Sequence, residues 1–303
     1  MAKELIYTSA ERGLRPGTRG FCTVAYTRGL RPQTVQVLEG LSAYKNLYAV
    51  HDTRTALSPI AVSHYRLAAM GKTINVLSRV APTQADHTGR SNKMAHHVVV
   101  GSKEQVVGGP AALAQHPDFF VESWSGPPRY IEEPKVIPED CGPQDMRATA
   151  WDALAGDAGW AGVLAETFSG KSTDPAILVF EPGMDVLPLI GEALALLPPS
   201  RRWQVTFSTF FTSLPAQATC AWRCCIADSE ALREARRNPR LLTIDLTKPL
   251  PAPKTSPLVT SAREGGTPPQ EEEKPPEKSP ERSAFVLLRN PIRPNQPRRH
   301  PRS

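Results

Sequence analysis

The spacing of hydrophobic positions changes several times along the chain, and each change marks a predicted element. Residues 21–27 form an aromatic, β-branched and small apolar run that predicts a strand. From Pro32, the residues Val35, Leu38, Leu41 and Tyr44 recur at near-helical spacing, and proline suits a first helical turn, so a helix is predicted over 32–44. Residues 64–70 and 73–80, joined at Gly71-Lys72, predict a hairpin. In its second arm Ile74 and Val76 do not separate cleanly from Leu77, so neither face is plainly the wet one. Residues 95–100 predict another strand, and Gly108-Gly109-Pro110 opens a short helix through Gln115. Several strands with few helices predict an α+β domain over 3–138.

A Pro-rich, charged stretch from Pro127 to Pro138 lacks periodicity and marks a domain boundary. The second domain, 139–247, opens with predicted helices at 143–155 and 159–168, then a short apolar strand at 176–180. A helix over 185–197 places Leu187, Ile190, Leu194 and Leu197 on one face, with Pro188 tolerated in the first turn. Pro198-Pro199 ends it, and a strand follows at 204–209. This strand–helix–strand order predicts parallel pairing of the two strands. A strand at 219–227 leads to a helix capped by Asp228 or Ser229, whose last turn carries Arg233, Arg236 and Arg237 against the dipole. A final strand is predicted at 241–246. This half reads as α/β, with a mixed or parallel sheet. From 248 to 303 the periodicity collapses, proline rises far above its ordinary level of roughly 5%, and a disordered tail is predicted. The apolar island at 285–288 reads as a stray cluster within it.

Charge narrows the function classes. The formal net charge is +6, but ten basic residues against six acidic ones lie from Pro249 onward. The body therefore has no dense basic stripe, and nucleic acid is not an expected partner. Five cysteines without scaffold density predict free thiols and a reducing, cytoplasmic setting. The N-terminus has no long apolar region and carries Lys3 and Glu4, unlike a secretory signal. The longest apolar run, 186–197, is broken by Glu192 and too short to span a bilayer.

The densest polar chemistry lies between Asp86 and Val100, where a turn containing Gly89, Ser91 and Asn92 delivers Arg90 and a histidine pair to a strand. Arginine can hold a carboxylate or phosphate in a fork, with serine and asparagine orienting it. The candidate partner-binding set is His64, Arg79, His87, Arg90, Ser91, Asn92, His96 and His97, with the first two brought near by strand pairing. The competing expectation is a self-satisfied turn in which Ser91 and Asn92 serve backbone groups and Arg90 pairs with Asp86. His96 and His97 would point to opposite faces of a strand, so they do not chelate one ion. Cys220, Cys224 and Cys225 lack zinc spacing. No metal or cofactor is expected. The segment 165–172, AETFSGKS, matches a relaxed phosphate loop, but a predicted helix precedes it and a strand follows. That is the reverse of what phosphate cradling needs, so it reads as a turn.

Longer strings carry a resemblance. YTSAERGLRPG at 7–17, GFCTV at 20–24 and GRSNKMAHH at 89–97 resemble the type 2 N-terminal domain of bacterial GTPase-associated proteins. VFEPGMD at 179–185 and WQVTFSTFFTSLP at 203–215 resemble the middle domain of the same proteins. The resemblance spans roughly 3–246 and transfers no catalytic residues. It implies an adaptor beside a separate GTPase in bacterial conflict or defence systems, binding that GTPase or its effector. The alternative expectation is a hydrolase-like enzyme with a site around Arg90, Asn92, His96 and His97.

Overall fold

The computed structural model describes residues 1–69, 72–141, 147–169, 174–216 and 218–266. In chain order the elements are β1 (Lys3–Ala10), β2 (Gly20–Thr27), α1 (Pro32–Gly40), β3 (Ala61–Ala69), β4 (Lys72–Thr83) and β5 (Asn92–Val100). Then come α2 (Gly109–Gln115), β6 (Arg129–Ile131), α3 (Thr149–Ala155), α4 (Gly159–Ser169), β7 (Ala176–Phe180) and α5 (Leu187–Ala195). The last are α6 (Pro199–Arg202), β8 (Phe207–Ser208), β9 (Trp222–Ile226), α7 (Glu230–Ala235), β10 (Thr243–Asp245) and α8 (Pro257–Glu264).

All the strands join one ten-stranded mixed sheet, ordered β10-β7-β9-β8-β3-β4-β5-β1-β2-β6. Its first half is antiparallel from β3 through β2, the pattern of an α+β segment. Its second half is parallel through β10, β7, β9 and β8, the pattern of an α/β segment. The halves meet where β3 runs antiparallel to β8. There Ser63 donates to Ser208 at 2.9 Å, and the Val62 amide donates to the Thr209 hydroxyl at 2.9 Å. The predicted pairing of 176–180 with 204–209 takes a different form: both strands run parallel, but β9 lies between them and pairs with each. Only Phe207–Ser208 of the predicted strand makes ladder bonds.

Both sheet faces are covered, which explains the mixed patterning of β4: Leu77 enters the core on one side and Val76 that on the other. Helices α2 to α5 pack on the first face, α1 and α7 on the second. Glu192, the charge that interrupts the apolar run of α5, accepts from the Ala150 amide at 2.8 Å and the Trp151 amide at 3.1 Å. An acidic side chain thereby satisfies orphan donors at the start of α3. Helix α1 ends at Gly40 rather than Tyr44, because the Leu41 amide already shares the Val37 and Leu38 carbonyls. The Pro-rich stretch after Pro127 contributes β6, parallel to β2, and a bridge from Lys135 to Ala2.

The start of the predicted disordered tail is corrected. Residues 248–266 are ordered, and α8 buries Val259 and Ala262 against α4. A glycine allows this approach: a Cβ on Gly162 would lie 2.5 Å from the Leu258 carbonyl carbon and the Val259 nitrogen. Ser256 caps the helix through the Val259 amide, and Arg263 forks onto Asp157 at 2.7–2.8 Å. Residues 267–303, including the 285–288 island, lie outside the described residues, as do 142–146 at the head of the predicted 143–155 helix.

Candidate functional site

The turn from Asp86 to Asn92 is built around one carboxylate. Asp86 Oδ1 accepts from the Thr88 amide at 2.8 Å, the Thr88 hydroxyl at 2.6 Å and the Arg90 amide at 3.1 Å. Its Oδ2 accepts from the Ser9 hydroxyl at 3.0 Å, tying the turn to β1. These donors, the Thr88 hydroxyl foremost, hold the carboxyl well below its ordinary value. Gly89 has φ +77°, a left-handed conformation that favours glycine. Asn92 Oδ1 accepts from the Lys93 amide at 2.8 Å and the Ser9 amide at 3.2 Å.

The turn thus satisfies its own backbone, as the competing expectation had it for Asn92, but Asp86 takes the Arg90 amide rather than its guanidinium. His87 and Arg90 are exposed and Ser91 is half-buried. Among the described residues no acidic side chain forms an ion pair with Arg90.

Three of the four candidate histidines, His64, His96 and His97, sit inside the protein. His96 and His97 lie on opposite faces of β5, as alternation requires. His96 Nε2–H donates to Glu4 Oε2 at 2.8 Å, and its Nδ1 accepts the Val121 amide at 2.9 Å. Because an N–H already points at Nδ1, a second ring proton would face a donor, so the imidazole stays neutral. Burial lowers the His96 value, and the Glu4 carboxylate only partly opposes this. Burial by itself would raise Glu4, but His96 and Lys135, 3.6 Å away, outweigh it and lower the carboxyl.

His97 is enclosed by two hydroxyls. Ser42 donates to the Leu38 carbonyl at 3.3 Å, so its oxygen accepts His97 Nε2–H at 2.8 Å. Ser78 then donates to Nδ1 at 2.8 Å. Burial, aided by neighbouring His96, lowers this histidine to about 3. His64 donates Nδ1–H to the Val205 carbonyl at 2.7 Å, and its Nε2 lies 3.2 Å from the Asn75 side-chain oxygen Oδ1. Burial lowers it to about 4.

Arg79, also on β4, is cross-strand from His96 and reaches Glu122 through Nη2 at 3.3 Å. The structure therefore brings Arg79 and His96 to one face, places His97 on the other, and leaves His87 and Arg90 in the external turn. Arg90, Asn92, His96 and His97 do not converge on one cavity. Glu4, Lys135, Ser42 and Ser78 were not singled out from sequence. An acidic residue at an otherwise apolar stretch of β1 was the one available signal for Glu4.

Among the described residues no group of three or more His, Cys, Asp or Glu side chains is placed to hold a metal ion. All five cysteines are free and buried, with Cys224 and Cys225 on opposite sheet faces. The phosphate-loop segment has α4 before it and β7 after it, and 170–173 lie outside the described residues. No described helix is long and apolar enough to cross a membrane.

Comparison with known proteins adds family. No curated protein and no solved structure matches the chain. Residues 1–138 match the N-terminal domain type 2 of GTPase-associated protein 1, and 148–248 match its middle domain. With two successive domains of that protein matched in order, the chain belongs to the GTPase-associated protein 1 family.

Proposed function

We propose that the chain is a non-enzymatic, cytoplasmic adaptor in a GTPase-centred bacterial conflict or defence system, docking a GTPase or its associated effector. The observation that carries this reading is the turn organised by Asp86, which holds an unpaired Arg90 and His87 outward on a rigid strand end. A preorganised arginine costs little further ordering when it meets an acidic surface. The candidate contact set divides by depth. His87, Arg90 and Ser91 would touch the partner, with Asn92 holding the turn, while His64, His96 and His97 position the strands beneath. Family membership supports a partner of the GTPase class.

Affinity purification from the native cell, with and without a non-hydrolysable GTP analogue, tests this directly. Enrichment of an identified GTPase that weakens on Arg90→Ala supports the reading. Capture undiminished by Arg90→Ala removes the turn from the interface, and absence of any GTPase or associated effector under both conditions overturns the adaptor role.

A further inference from the structure

A cleft of about 530 Å³ opens beside α2 and the start of α5, away from the Asp86 turn. Arg79 reaches it from β4, Phe120 and Val62 form part of its wall, and Leu57 and Ile60 stand on its lip. Those two aliphatic side chains remain 45% and 47% exposed, so the lip offers apolar area that the chain itself leaves uncovered.

Two deeply placed arginines, Arg202 and Arg79, differ in how they are served. Arg202 is buried, and its Nε, Nη1 and Nη2 each donate to a backbone carbonyl, of Leu197, Val107 and Ala195. Each of its three nitrogens therefore has an acceptor. The Arg79 side chain is only 11% exposed, yet its one acceptor among the described residues is Glu122, which is itself 74% exposed. Nε and Nη1 are left for the cleft. Glu122 shows which chemistry the fork accepts, and its exposure means it can swing aside or share the guanidinium with a second carboxylate.

We propose that this cleft binds a short protein segment in which one carboxylate side chain is flanked by apolar residues. Arg79 holds the carboxylate, and Leu57 and Ile60 cover the apolar flanks. The volume falls within the ordinary range of roughly 300–1,000 Å³ for concave ligand sites, enough for a few side chains rather than a whole helix. Arg79 is the one Lys or Arg in a lining that also holds Glu122 and Asp185, so the cleft matches at most a single negative charge. A nucleoside triphosphate would bring about four, and the cleft supplies no glycine-rich cradle of amides to meet them. The inference rests on the docking reading but on different residues from the turn, so the two can fail separately.

The test uses the full purified chain with two N-terminally fluorescein-labelled, C-terminally amidated tetrapeptides, Leu-Phe-Glu-Leu and Leu-Phe-Gln-Leu, followed by anisotropy. The acidic peptide is expected to bind about tenfold tighter than its amide twin, the worth of one charge-assisted hydrogen bond. That preference should vanish in Arg79→Met, which keeps the stem and removes the fork. Leu57→Glu, at a position 45% exposed, should weaken the acidic peptide most and decides the matter if Arg79→Met does not fold. Equal affinity for both peptides, no saturable binding, or an unchanged preference in the folded variants overturns the proposal. Displacement of the acidic peptide by GTP at lower concentration than by unlabelled peptide overturns it in favour of a nucleotide site.

Discussion

Glu4 on β1 and His96 on β5, 92 positions apart in the chain, share a hydrogen bond of 2.8 Å. The same imidazole accepts the Val121 amide, so one ring ties together β1, β5 and the segment leading toward β6. Lys135 closes the group from that segment's far end. The network therefore fastens the crossing chain of 119–135 to the sheet.

Removing the imidazole should unfasten that crossing. His96→Ala leaves the Glu4 carboxylate with Lys135 alone and the Val121 amide without its acceptor, a loss of about 2 kcal/mol. Urea denaturation should show the drop. A variant as stable as the parent would show that the network is not holding the segment.

Acid should destabilise the fold before ordinary carboxylates titrate. His64 and His97 have folded values of about 4 and about 3, against 6.5 when free. Above pH 6.5 neither state is protonated and these groups leave stability unchanged. As pH falls from 6.5 toward 4, the unfolded chain takes up protons that the folded chain refuses, costing about 1.4 kcal/mol per pH unit for each histidine. His96, lowered as well, acts in the same direction. Glu4 ionisation contributes stability above its free value of 4.5, lost as pH drops through its lower folded value. Denaturation midpoints measured from pH 7.5 to pH 4 should decline steadily below 6.5. A flat profile over that range would contradict the buried, neutral histidines.

The buried fork of Arg202 should be intolerant of its usual substitute. Lysine cannot reach the carbonyls of Leu197, Val107 and Ala195 together, and Arg202→Lys should cost about 2–3 kcal/mol by chemical denaturation. Near-parental stability would mean that these carbonyls find other partners.

Gly162→Ala should release α8 while sparing the sheet. The new methyl would collide with the backbone at Leu258 and Val259, which has no flexible end to move. Limited proteolysis should then cut within 248–266 at concentrations that leave the parent intact, with the remainder of the chain protected. Equal resistance in the two proteins would place α8 differently from the contact described.

The Asp86 turn should loosen without wider unfolding in Asp86→Ala. Its loss frees the Thr88 and Arg90 amides, whose hydrogen exchange should quicken about tenfold, as expected for local opening. Unchanged exchange at both amides would deny the carboxylate its organising role.

Local pattern determined much of this chain by itself. Helix and strand identity follow from short-range spacing, and so the mixed α/β character, the capping of α7 at Asp228 or Ser229, of which the structure uses Ser229, the break at Pro198-Pro199 and the opposed faces of His96 and His97 were legible. Long strings such as GRSNKMAHH also disclosed the family. Tertiary structure decided what spacing does not encode. The placing of β9 between β7 and β8, and the joining of both halves through β3 and β8, depend on strand pairings, the last of them across more than a hundred residues, that local spacing does not specify. A proline-rich composition hid α8, because its stability comes from the groove at Gly162 rather than from its own sequence. The fate of the polar residues was the least visible of all. Burial makes the same imidazole a neutral brace in His97 and solvent leaves it an open group in His87, and only the packing around each decides which.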